Sequence, residues 1–173
     1  MKLIVSFLSA SLFVAVLGSV YIWTGMYAIG ADSPHWRLTS NIMNILRQRA
    51  VMRHAKNIPV PDLDNPEWIL KGAGQYAAMC VQCHLAPTRK TSELRMGLYP
   101  LPPDLTKVRV DPGTAFWIIK HGIKMSAMPA WGISHDDATI WCMVAFLQKL
   151  PKLTPAQYAA IVAIAPPDDD MRQ

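Results

Sequence analysis

Residues 3–23 (LIVSFLSASLFVAVLGSVYIW) are 21 consecutive positions without a charge, and no charged side chain occurs from Leu3 to Ala31. A bilayer core needs about 20 helical residues, whereas the apolar part of a secretory signal spans roughly 7–15. Tyr21, Trp23 and Tyr27 gather at the downstream end, where aromatic rings favour the membrane interface. The pattern predicts one retained transmembrane helix within residues 1–31. The competing reading is a cleaved signal, with Ala28-Ile29-Gly30 as a small-x-small cleavage site.

Beyond the anchor the pattern changes period. Ser33-Pro34 offers a capping hydroxyl and a proline at the first helical position. Trp36, Leu38, Ile42, Met43, Ile45 and Leu46 then recur at helical spacing, which predicts an amphipathic helix over 34–56. Residues 57–66 (NIPVPDLDNP) read as an extended linker, so 32–66 form a connecting segment. A domain over 67–150 follows. It has a helical pattern at 67–83, a proline-rich loop at 85–112, a short helix at 113–121, a second loop at 122–134 and a last helix at 135–149. Ser134 is a candidate cap for that last helix, and Asp136 and Asp137 suit its positive end. Residues 151–173 are expected to hold one more short helix (TPAQYAAIVAI) and a polar tail (PPDDDMRQ). There are no repeats and no strong strand signals, which is compatible with an all-α fold class.

Charge refines this picture in one place. The formal net charge is +5. Residues 32–60 carry Arg37, Arg47, Arg49, Arg53 and Lys56 against Asp32, and the acidic and basic residues after position 60 balance. The basic character thus belongs to the connecting segment, as a solvated helix face or as a docking or membrane-surface face. Nucleic acid is excluded as a partner, because no binding motif surrounds these residues and they follow a membrane segment. The positive-inside bias alone would put residues 32–56 in the cytoplasm.

The candidate chemistry lies in Cys80-Val81-Gln82-Cys83-His84, a C-x-x-C-H run that reads as c-type haem attachment. Cysteines three apart at a helix end present both sulfurs to one edge of a porphyrin, and His84 then falls under the iron. Zinc needs four ligands, and there is no second cysteine pair. A thioredoxin-type redox pair wants a strand–helix context that is not predicted here. The three cysteines do not make a disulfide framework, and Cys142, in WCMVAF, reads as core. A second axial ligand is sought downstream in GIKMSAMPAWG. Met128 sits before a proline, some 45 residues after the motif, with Met125 as the alternative.

These motifs (GAGQYAAMCVQCH, LPPDLT, AFWIIKHGIKMSAMPAWG and DDATIWCMVAFLQKL, in that order) resemble the class I cytochrome c family over residues 67–150. The resemblance implies a haem domain with first and last helices crossing beside one covalent haem c. It implies Cys80 and Cys83 as thioether anchors and His84 and Met128 as axial ligands of the iron. It also implies a carbonyl of Pro102 or Pro103 accepting the other ring proton of His84, and Gly72 or Gly74 and Tyr76 packed against Trp141. Trp131 is expected at the haem edge or a propionate, with Trp117, Trp141 and Met143 as apolar packing. His121 reads as a surface or capping histidine. His35, His54 and His135 receive no role.

With both axial positions filled, the expected activity is outer-sphere transfer of single electrons rather than catalysis. Haem attachment in this family places the domain outside the cytoplasm, so the expectation is a single-pass inner-membrane protein with a periplasmic haem domain. The expected partners are a membrane-bound dehydrogenase, a quinol-oxidising complex or a terminal oxidase. A fixed subunit of a larger membrane oxidoreductase is the second reading. A sensor or enzyme whose Met128 dissociates to admit a ligand is the third.

Overall fold

A computed structural model of the chain describes residues 2–167, so the tail expected at 166–173 lies almost wholly outside the described residues. The chain divides after Pro34 into two units. The first holds α1 (Lys2–Trp23), 22 residues or about 33 Å long, enough to cross a bilayer.

The second unit is all-helical: α2 (Arg37–Ala55), α3 (Pro66–Met79), α4 (Val81–His84), α5 (Glu93–Met96), α6 (Pro112–His121), α7 (Asp137–Lys149) and α8 (Pro155–Ile164). Single 3-10 turns at Trp131–Ile133 and Leu150–Lys152 bracket α7. Among the described residues there is no strand, only an isolated bridge between Ala86 and Arg89.

The helix starts follow their caps. Asn65, Asp111 and Thr154 each cap a helix that begins with proline, and Thr154 with Gln157 completes a capping box. Three boundaries differ from the pattern-based expectation. The second helix begins at Arg37 rather than at Pro34, because Trp36 has an extended ψ of 143°; the His35 amide before it donates to the Tyr99 hydroxyl (3.2 Å). Asp136, not Ser134, caps α7, accepting from the Thr139 amide at 2.8 Å. The Ser134 hydroxyl instead lies 2.8 Å from the His135 ring. The long loop contains α5, whose cap Ser92 accepts from the Arg95 amide while its hydroxyl donates to the Gln82 carbonyl.

The core forms where α3 crosses α7. A methyl group at Gly72 would lie 2.0 Å from the Cys142 carbonyl oxygen and 2.9 Å from the Phe146 Cβ, so only glycine permits this approach. Tyr76 packs on Phe146 with ring centroids 5.5 Å apart, and Phe146 meets Tyr158 of α8 at 6.3 Å. Ile140, Val144, Ala145 and Leu150 are fully enclosed. Cys142 and Phe146, one turn apart, make the face that α3 touches. Trp141 is about 100° further round and stacks instead on Phe116 of α6 (4.3 Å, 18°). The expected pairing of the first helix with Trp141 is therefore corrected to Cys142 and Phe146. Gly74 faces Ala165 and Pro166 beyond α8.

The connecting helix α2 packs on α6. Val51 and Ala55 are buried, the Ala55 carbonyl sits 3.3 Å from the Cβ position of Gly113, and the His54 ring stacks on Trp117 (5.4 Å, 10°). The apolar side of α2 faces the other way. Leu38, Ile42, Ile45 and Met52 are between 55 and 71% exposed. Ser40, Asn44 and Arg47, on the stripe of Val51 and Ala55, are half-buried, as are Thr39 and Ala50.

Candidate functional site

The end of α3 places the C-x-x-C-H run. Cys80 closes that helix with its amide on the Tyr76 carbonyl, and α4 restarts at Val81. The Cys83 and His84 amides both donate to the Cys80 carbonyl (3.1 and 2.8 Å), so the motif is one tight turn. Leu85 ends it with φ 66°, a left-handed conformation that costs a non-glycine residue energy. The Tyr76 hydroxyl holds this bend by donating to the Leu85 carbonyl at 2.6 Å, and the Leu105 amide donates to the His84 carbonyl at 3.2 Å. Burial pushes the Tyr76 phenol far above its ordinary range, so it remains a donor.

His84 Nδ1 donates to the Pro103 carbonyl at 2.9 Å. Because a carbonyl can only accept, the proton is on Nδ1 and the Nε2 lone pair is free. Burial lowers the pKa of His84, the bond to Pro103 acts against this, and the charge of Arg95 lowers it further. The neutral imidazole that a metal requires is thus the favoured form. The Pro102 carbonyl has a different partner, accepting from Arg95 at 2.8 Å.

The opposite wall is the loop after α6. Gly122, with φ 64°, turns the chain where a Cβ would lie 2.7 Å from the Met128 carbonyl oxygen. The Ile123 amide donates to that carbonyl (3.1 Å), and the Met128 amide donates to the Ser126 hydroxyl (3.2 Å). The loop is therefore braced against itself around Met128. Met125 is 86% exposed.

Between these walls lies a cavity of about 440 Å³. Cys80, Cys83, His84, Met128, Pro102, Pro103 and Trp131 all line it, with Leu98, Leu105, Ile118, Ile119 and Leu147 supplying apolar surface. Met125 does not reach it. Trp117 stacks at the α2–α6 contact instead, and His121 lies against it at 5.1 Å. Burial pushes the Cys80 thiol up to about 12, with neighbouring Cys83 adding to the effect, so its sulfur sits in an apolar setting. Burial also raises Cys83.

The donor set fits a covalently held haem. Two thiols lie at one edge, an oriented imidazole on one wall and a thioether on the other, and the surroundings are apolar. The cavity volume is in the range of small-molecule and cofactor sites. Among the described residues no cluster of three or more His, Cys, Asp or Glu side chains suits a separate metal ion.

Sequence reasoning missed Gly122 as the pivot of the methionine loop, and the signal for it was a lone glycine after a helix ending in Lys-His. It also missed Arg47, which lines the cavity from α2. Nothing local marks Arg47 among five basic residues of that segment.

An all-helical unit with crossing terminal helices and this cavity defines a class I cytochrome c domain. The family model described as "Cytochrome C oxidase, cbb3-type, subunit III" matches residues 69–147, and this part of the chain belongs to the class I cytochrome c family. No curated protein and no solved structure gives a match. The function of such a domain is haem-based electron transfer.

Proposed function

We propose that this chain is a membrane-anchored mono-haem cytochrome that passes single electrons by outer-sphere transfer. The observation that carries this is the convergence of Cys80, Cys83, His84 and Met128 on one apolar cavity. When bound, the haem supplies a one-electron Fe(II)/Fe(III) couple. Cys80 and Cys83 would hold it covalently, His84 would offer Nε2 because Pro103 holds the proton on Nδ1, and Met128, whose backbone is braced by Gly122 and Ser126, would offer its thioether. With His84 and Met128 both held by the iron, no position would remain for substrate. The rigid walls keep the environment alike in the two oxidation states. The anchor α1 and the family's outward haem attachment favour a periplasmic domain tied to the inner membrane.

Reduced and oxidised optical spectra of the full chain, with and without Met128→Ala, test this. The expected result is a c-type spectrum with a weak sulfur–iron band at the red end of the visible, lost in the variant. A wild type without that band that binds carbon monoxide readily refutes Met128 ligation and puts the sensing or catalytic reading first.

A second reading, that the protein is a fixed subunit of a terminal oxidase or another membrane respiratory complex, rests on the outward apolar face of α2. A free shuttle gains nothing by exposing Leu38, Ile42, Ile45 and Met52. The matching family model describes an oxidase subunit, which favours an oxidase surface as the occupant of this face. Replacing Leu38, Ile42 and Ile45 by serine, followed by mild detergent extraction, should release the cytochrome from its complex with its spectrum intact. Unchanged co-purification refutes the reading.

A further inference from the structure

The cavity wall is not supplied by the cytochrome domain alone. Arg47 belongs to α2, which lies before the matched region 69–147, yet it lines the same cavity as Cys80, His84 and Met128. Among the residues that line the cavity there is no lysine, aspartate or glutamate, and Arg47 is the one arginine. Its Nη2 donates to Asn44 at 3.0 Å, one turn back on the same face, which orients the guanidinium. No carboxylate of the described residues pairs with it. A half-buried arginine without an anion, facing an apolar cavity, is costly unless something negative completes it.

The placement of Arg47 is built by contacts at both ends of its helix. At the leading end the His35 amide donates to Tyr99, and the two rings meet edge to face at 5.2 Å. Tyr99 sits beside Leu98 and Pro100, both of which line the cavity. At the trailing end Val51 and Ala55 are buried and His54 stacks on Trp117. The helix therefore lies across one edge of the cavity, polar stripe inward, and this explains its inverted amphipathicity. Its inner stripe is apolar at the trailing end, where Val51 and Ala55 are buried, and polar towards the cavity, where Asn44 and Arg47 are half-buried.

We infer that Arg47 is the counter-ion of a haem propionate carboxylate and that α2 is a structural wall of the cofactor site, tuning the potential from outside the cytochrome domain. This rests on the haem reading above. Arginine suits the role because its planar fork meets a carboxylate with two parallel hydrogen bonds. A fixed positive charge at the rim disfavours the more positive, oxidised state. Since α2 follows the anchor, a partner that displaces the helix would change the potential of the carrier.

The test is a spectroelectrochemical titration of the detergent-purified full chain as wild type, Arg47→Gln, Arg47→Lys and Val51→Asp. Arg47→Gln should lower the midpoint potential while leaving the covalent haem content and the sulfur–iron band unchanged. The expected size is about tenfold in the equilibrium with a fixed mediator, the scale of a unit charge acting across roughly 10 Å at an effective dielectric near 20. Arg47→Lys should keep most of the wild-type value. Val51→Asp, which places a charge in the buried α2–α6 contact and leaves Arg47 intact, should lower the potential in the same direction. A potential unchanged in Arg47→Gln, with a normal spectrum, overturns this inference and leaves the haem reading standing. A shift in Val51→Asp with none in Arg47→Gln likewise overturns the role of Arg47. Absence of covalent haem in the wild type overturns the parent reading instead.

Discussion

Gly72→Ala tests the helix crossing on which the site is built. The added Cβ would stand 2.0 Å from the Cys142 carbonyl oxygen, where ordinary contact begins near 3.4 Å. That oxygen is backbone in the middle of α7, so no side-chain rotation relieves the overlap. Helices α3 and α7 must separate by roughly 1.4 Å, and gaps of about 0.5–1 Å already forfeit a quarter to a half of each dispersion contact. Tyr76, Phe146 and Ile140 all lie at this seam. Overpacking costs about 1–3 kcal/mol, and a rigid backbone clash belongs at or above the upper end. A loss of about 3 kcal/mol lowers Tm by on the order of 12–24 °C for a domain of this size. Two glycines serve as controls. At Gly74 the obstacle is the Pro166 carbonyl at 2.5 Å, in a segment beyond α8 that can shift, and the gain in helix propensity of about 0.8–1.0 kcal/mol offsets part of the cost. At Gly97 the nearest atom is 3.7 Å away, so alanine should change stability by less than about 0.5 kcal/mol. Thermal and urea unfolding followed by circular dichroism on the haem-loaded chain gives the order. Gly72→Ala no worse than Gly74→Ala, or costing under about 1 kcal/mol, would refute this account of the crossing.

Gly122→Ala should disturb the methionine loop without touching its ligand, because φ 64° and a Cβ 2.7 Å from the Met128 carbonyl both oppose a side chain. Weakening of the sulfur–iron band with haem content preserved is the expected spectrum. Tyr76→Phe removes the 2.6 Å bond to Leu85 and leaves a buried carbonyl unsatisfied, a loss of about 1–3 kcal/mol in urea unfolding. The same variant changes the alkaline limb. Because folding raises the Tyr76 pKa above its ordinary 10.0, the stability it contributes is fully present below pH 10 and falls as pH rises above it. The wild type should therefore lose stability above pH 10 by up to about 1.4 kcal/mol per unit from this group, with a shallower slope in Tyr76→Phe. A slope identical in the two proteins would exclude Tyr76 as its source. His54→Ala removes only a stacked, exposed ring on Trp117 and should cost at most about 1 kcal/mol, with no change in the haem spectrum.

What could be read from the chain itself is whatever short-range geometry dictates. The apolar run of α1 and the one-turn placement of Cys80, Cys83 and His84 follow from spacing along a single element, as do the proline-led starts of α3, α6 and α8. So does the general position of the methionine loop, which had to lie between two helical patterns. The tertiary structure decided everything that depends on which face of one element meets another. It paired Gly72 with Cys142 and Phe146 rather than with Trp141, because a helix turns 100° per residue and an adjacent position belongs to a different neighbour. It gave the His84 ring proton to Pro103 and Arg95 to Pro102, two carbonyls that are indistinguishable in sequence. It turned the polar stripe of α2 inward and brought Arg47 to the cavity. Pattern alone assumes that apolar residues seek the interior, and that assumption fails at α2, where Ser40, Asn44 and Arg47 are half-buried while Leu38, Ile42 and Ile45 stay exposed.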